Sequence, residues 1–269
     1  MAIPTQSFKP IDPVPGVHRL LTKEDLELSF NIATSLPRIN KDMKVQEDHL
    51  RALTTIISGH SMVGKLAVHL LHSHEPLKEG HIKLENKLEI VPAKWMRPVF
   101  ADSLDPASIH GLTFKIERRS VGGAGFALIP YEFAKGPSPI TKDDKKALGC
   151  MAEIVEYLIQ NTLTDILALQ FVNDDLSAGP TAEVEVGGLG TMTLPQSIQR
   201  LGTLVPVSWP GSTLVDAVSQ LSEPPPGQHW NEATKSDGTK THKVHVDNVD
   251  TIEDILESLV GQGILIGVF

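Results

Sequence analysis

The sequence is poor in several things that would narrow its function. It has one cysteine, Cys150, among 269 residues. An intramolecular disulfide is therefore excluded, and a thiolate zinc knuckle or iron–sulfur site has no ligand set. No run of Lys and Arg stands out against a net charge of −9. Such a chain repels phosphate backbones, so the expectation is no nucleic-acid partner. No apolar run approaches the twenty residues that span a bilayer; Ile264–Phe269 is among the longest. The N-terminus, MAIPTQSFKPIDPVPG, is broken by prolines and has no signal-peptide core. The reading is no membrane association and a cytoplasmic location.

What is present is a large apolar fraction, 41%, enough for a sizeable core. Prolines at 4, 10, 13 and 15 make residues 1–20 an extended arm. Residues 21–269 read as a single α+β domain, the alternative being two lobes dividing near 140–180. Thr22 with Asp25 forms a capping-box pattern for a first helix that ends before Pro37. A second helix is expected over roughly 45–74, stopped by Pro76. Lys83–Pro92, Arg97–Ala101, Leu112–Arg119 and Phe126–Phe133 read as strands. A long helix is expected from about 142 to 170, capped by Thr141. Its buried stripe would include Leu148, Met151, Val155, Ile159, Ile166 and Leu167. Thr181–Val186 and Thr191–Leu194 flank Gly187-Gly188 as a hairpin. Leu204–Trp209 and Lys240–Asp247 read as strands, and a last helix starts at Asp250 with Glu253 as its box partner. Strands and helices come in blocks, which favours α+β with short, mainly antiparallel strands and a few packed helices.

Gly59-His-Ser-Met-Val-Gly64-Lys65 has the spacing of a phosphate-binding loop. The residue after the lysine should carry a magnesium-binding hydroxyl, and here it is Leu66. The segment reads as ordinary chain beside a helix end.

The densest chemistry is a histidine stretch: His60, His69, His72, His74 and His81. Metal ligands must converge on one point at about 2.0–2.2 Å. On a helix turning about 100° per residue, His74 falls on the apolar face, His69 on its margin, and His72 points away. Only His69 and His72 would then chelate together. The candidate metal set is His69, His72 and His74, with a divalent metal the one cofactor considered. His74 is the candidate catalytic base, because imidazole on an apolar face needs a partner.

Carboxylate partners come from distant segments. Glu132, among apolar neighbours in Tyr131-Glu132-Phe133, is a candidate buried acid. Glu183 and Glu185 share one strand face and read most simply as the wet side of a hairpin; as a pair they bind metal or share a proton. His245 and Asp247 also share a face, forming a second candidate pair of base and orienting acid. Trp95, Trp209 and Trp230 are expected in the core. Cys150 lies near a helix start, where a thiolate is favoured.

Leu70-Leu-His-Ser-His74, followed by Glu75-Pro-Leu-Lys-Glu-Gly80, resembles a recurring segment of short, largely uncharacterised filamentous-fungal proteins, in which a Leu-Leu-His-x-His-Phe core leads into an acidic loop and a strand. Leu128-Ile-Pro-Tyr-Glu-Phe133 resembles their Leu-x-Pro-x-Glu-Phe strand, and Glu183 with Thr193-Leu-Pro195 resembles their second half. The likeness spans about residues 45–210. The family has no settled activity to carry over; the likeness implies a fungal source, and it singles out His72, His74, Glu132 and Glu183. Many members end in a histidine- and cysteine-rich tail; this chain has His229, His242 and His245 there and no cysteine.

Two functional expectations follow. One is a small-molecule enzyme using histidine and carboxylate acid–base chemistry, metal-assisted or not, of isomerase, lyase, cyclase or hydrolase type. Its catalytic residues would be His74, Glu132 and Glu183. The other is a non-catalytic binding or protein-interaction protein. A pocket where these groups converge separates the two.

Overall fold

The computed structural model describes residues 13–38, 45–74, 76–88, 91–118, 125–172, 181–195, 204–209, 229–232, 243–244, 251–261 and 265. The pair His245 and Asp247 lies outside them.

Helix α1, Lys23–Ser35, begins as its sequence dictates. Thr22 and Asp25 cap each other reciprocally, and Asp25 also takes a bidentate pair from Arg19 at 2.6 and 2.7 Å. Burial opposes the Asp25 charge, but Arg19 and Thr22 outweigh it and hold this carboxyl below its ordinary range. Helix α2, Glu47–Gly59, is much shorter than the stretch 45–74. It is unwound after Gly59 by Ser61 at φ 59° and Gly64 at φ 75°, and the chain then enters strand β1, Leu66–Leu70. The order is helix, turn, strand. That is the reverse of a phosphate loop, which feeds a helix.

Strands β2 (His81–Lys87), β3 (Lys94–Phe100), β4 (Ile109–Arg118) and β5 (Phe126–Lys135) follow. Helix α3 is Lys145–Gln160, capped by Asp144 rather than Thr141. It stops at Asn161, and the apolar run after it becomes strand β6, Leu167–Phe171. Ile166 and Leu167 therefore do not belong to the helix stripe. The buried face of α3 is Ala147, Cys150, Met151, Ile154, Val155 and Leu158. Strands β7 (Thr181–Val186) and β8 (Thr191–Pro195) form the expected hairpin. Then come β9 (Leu204–Trp209), β10 (His229–Glu232), β11 (Lys243–Val244) and helix α4 (Ile252–Gly261). The box that opens α4 is Thr251 with Asp254, not Asp250 with Glu253.

The fold is α+β, and its strands pair mostly antiparallel. Their order is β10-β9-β1-β6-β4-β5-β2-β3-β8-β7-β11, and β10 also pairs with β7 in parallel. That pairing closes the ladder on itself, so strands from before and after α3 share one ring. β6 lies between β1 and β4, and β8 lies beside β3.

Side chains alternate across a strand, and here one face meets the helices. Helices α2 and α3 pack on Leu66, Val68 and Leu70 of β1 and Leu167, Leu169 and Phe171 of β6. Leu26 of α1 packs on Ile82, Leu84 and Phe133. Helix α4 sets Ile255, Leu256 and Leu259 against Val184, Val186, Met192 and Leu194. Trp209 lies in the first of these clusters, and Trp95 packs against the third while donating to the Leu189 carbonyl at 3.0 Å. No helix among the described residues is long and apolar enough to cross a membrane.

Candidate active site

The opposite sheet face is buried as well, and it is polar. His69 on β1, Lys83 on β2, Thr113 on β4, Glu132 on β5 and Glu183 and Glu185 on β7 are all under 10% exposed. Glu183 and Glu185 are thus not the wet side of a hairpin, because closure of the sheet puts both faces of β7 out of water. A chain of hydrogen bonds runs across this face. Ser208 donates to Gln170 at 2.8 Å, Gln170 to Thr113 at 3.4 Å, and Thr113 to Glu132 Oε2 at 2.7 Å. Lys83 Nζ approaches Glu132 Oε1 at 3.5 Å. Burial opposes the Glu132 charge, but Lys83, His69 and the Thr113 hydroxyl outweigh it and keep this acid below its ordinary range. Glu132 is a buried ionised carboxylate.

His72 and His74 lie just beyond β1, on chain that is not helical. The segment is tied down by its backbone. Leu71 N–H donates to the Ile166 carbonyl, Ser73 N–H to the Pro37 carbonyl, and the Ser73 hydroxyl to the Leu36 carbonyl. Extended backbone lets residues two apart point the same way, so His72 and His74 converge where a helix would have splayed them. Glu183 meets them from β7. His72 Nε2 lies 3.0 Å from His74 Nε2, His74 Nε2 lies 3.2 Å from Glu183 Oε2, and the third edge is 3.5 Å.

This triangle has the dimensions of a metal-ligand face. Bonds of about 2.0–2.2 Å put neighbouring ligand atoms about 2.8–3.6 Å apart, for octahedral through tetrahedral angles. A point about 1 Å out of the triangle's plane is within bonding distance of all three atoms. The tautomer also fits. His72 Nδ1 meets the Leu70 carbonyl at 2.8 Å; a carbonyl only accepts, so Nδ1 carries the proton and Nε2 offers a lone pair. A metal-bound histidine commonly shows this backing hydrogen bond. Burial lowers the His74 imidazole to about 4; His72 and Lys83 add to this, and Glu183 opposes it. It is neutral near pH 7, which is the ligating form.

Of the sequence's metal candidates, His72 and His74 join this face. His69 stacks on the His72 ring at 5.1 Å instead, and Glu183 is the third member. Glu132 belongs to the neighbouring Lys83 pair. Cys150 is buried, and burial and Glu153 push its thiol up to about 12. Sequence reasoning missed Lys83, Thr113, Gln170 and Ser208. Lys83 alternates with Ile82 and Leu84 as a solvent-facing lysine would.

Beside the triangle is a cavity of about 200 Å³. His74, Lys83, Met96, Pro98, Lys78 and Thr191 are among its lining residues. Exposed Pro76, Lys78 and Gly188 form its rim. Gly190, at φ +117°, completes the wall. No protein-family model, no curated protein and no solved structure matches this chain.

Proposed function

We propose that this protein is a small-molecule enzyme in which His72, His74 and Glu183 hold a divalent transition metal at the edge of the chamber. The observation that carries this reading is the 3.0, 3.2 and 3.5 Å triangle of two imidazole nitrogens and a carboxylate oxygen. Two histidines and one acid leave coordination positions open, as catalytic sites of zinc or iron require. His74 also lines the cavity, so an open position would face a bound molecule. The metal would polarise an oxygen of that molecule. Lys83 would stabilise the negative charge that develops there, and Glu132 would hold Lys83 in position. Proton transfer or bond cleavage next to a carbonyl suits this set, which places the reaction among isomerisations, eliminations and hydrolyses. A place in fungal specialised metabolism goes with this reading.

The test is metal content. Protein dialysed against micromolar zinc, manganese or ferrous ion, then against buffer, is expected to retain about one equivalent of one of them by mass spectrometry. His72→Ala, His74→Ala and Glu183→Gln should each lose it, while His69→Ala should keep most of it. Retention of none of the three ions by the wild-type chain would refute the metal site.

A second reading has its own support. One proton on His74 Nε2 satisfies both neighbouring acceptors at once, Glu183 at 3.2 Å and His72 at 3.0 Å. Without metal, His74 with Glu183 would serve as a neutral general base. Full turnover after chelation would select this reading over the first.

A further inference from the structure

The chamber's electrostatics run against those of the whole chain. The protein carries −9, yet among the described residues the charged side chains lining the cavity are Lys78 and Lys83, with His74 and His81 beside them and no acid. Lys83 is 8% exposed, and the ammonium has three protons to place. Its contact with Glu132 is long, at 3.5 Å, while the other Glu132 oxygen takes the short 2.7 Å bond from Thr113. Glu132 thus neutralises Lys83 while taking one of its three donors, through a long bond, and Lys83 itself is part of the cavity wall. Another wall is apolar: Leu77, Met96 and Pro98.

We infer that the chamber binds a small organic monoanion, a carboxylic acid with a compact apolar body. Its carboxylate sits on Lys83 beside the His72, His74 and Glu183 face, its body packs on Met96 and Pro98, and Lys78 at the rim draws it in. This rests on the proposed function only in placing the carboxylate beside that face; the anion preference itself comes from Lys83 and Lys78 in the cavity wall. The size agrees: a protein cavity of about 150 Å³ takes benzene, and this one is about 200 Å³.

The experiment is calorimetric titration with 3-methylbutanoate and benzoate, each against its uncharged amide, on the chelator-treated full chain and again after metal addition. At least one acid is expected to bind the metal-free protein about tenfold or more tighter than its amide, a difference of about 1.4 kcal/mol. Raising salt should weaken the acid and not the amide. Lys83→Met combined with Glu132→Gln keeps the buried pair neutral and should abolish the preference; near-ultraviolet circular dichroism checks its fold. Acids and amides binding alike, neither binding, or a preference that survives in the folded double variant would each overturn the inference. The acid preference in metal-free protein is read independently of metal retention, so the chamber's ligand class stands or falls separately from the metal site.

Discussion

Acid should destabilise the metal-free protein, and His74 carries a share of that loss large enough to isolate. Its imidazole titrates near the ordinary 6.5 when unfolded and at about 4 when folded. Between those values the unfolded chain binds more protons, so stability falls as the pH is lowered through that window. A gap of 2.5 units corresponds to roughly 3 kcal/mol in full, and about 2 kcal/mol of it is lost between pH 7.5 and 5.0. Against a total of about 5–15 kcal/mol, that is readily measured. Urea midpoints of chelator-treated protein should drop by roughly 1 M over this range, for a slope of about 2 kcal/mol per molar. The groups facing His74 are Glu183, His72 and Lys83. The His74→Gln variant retains them and lacks the imidazole, so its midpoint should fall distinctly less. His110, also lowered by burial despite its bond to the Gly136 carbonyl, is present in both proteins and cancels. Parallel loss of stability in wild type and His74→Gln would refute the buried neutral imidazole. A bound metal should raise the neutral-pH midpoint and steepen the acid loss, because protons then compete with the ion.

Other consequences are simpler to test. At Gly190, φ is +117° and a Cβ would lie 2.1 Å from the Met96 carbonyl oxygen, so Gly190→Ala should cost about 3 kcal/mol or more, seen as a large drop in melting temperature. The Tyr131 hydroxyl is buried with no hydrogen-bond partner among the described residues; Tyr131→Phe should leave stability unchanged or raise it by about 1 kcal/mol in urea unfolding. Thr22→Ala removes half of the α1 capping box and should cost about 1 kcal/mol. Cys150, with its thiol near 12, should resist iodoacetamide in the native protein at pH 8 and react promptly in denaturant.

What the sequence disclosed depended on whether the signal was local. The α1 box at Thr22 and Asp25 and the hairpin about Gly187-Gly188 are short-range patterns, and both stand in the structure. The segments 60–74 and 161–171 were read as helix because Leu66–Leu70 and Leu167–Phe171 are buried on nearly every residue. Continuous burial erases the period of two that marks a strand. That error carried into the site. Helical geometry turned His72 away from His74, whereas extended chain brings their Nε2 atoms to 3.0 Å. Glu183 was visible as a candidate, but its burial was not, since alternation looks the same whether the second face meets water or the inside of a closed sheet. Lys83 was hidden for the same reason.

The closed sheet puts its helices outside and its polar groups within, so the apolar packing that holds the molecule together and the proposed ligand site are separated by a single layer of backbone. Selection on the two sides can therefore proceed almost independently. Replacing the Lys83 and Glu132 pair with apolar side chains of similar volume would make the protein sturdier, since a buried ion pair rarely repays its own desolvation. It would also leave the chamber with no use for an anion.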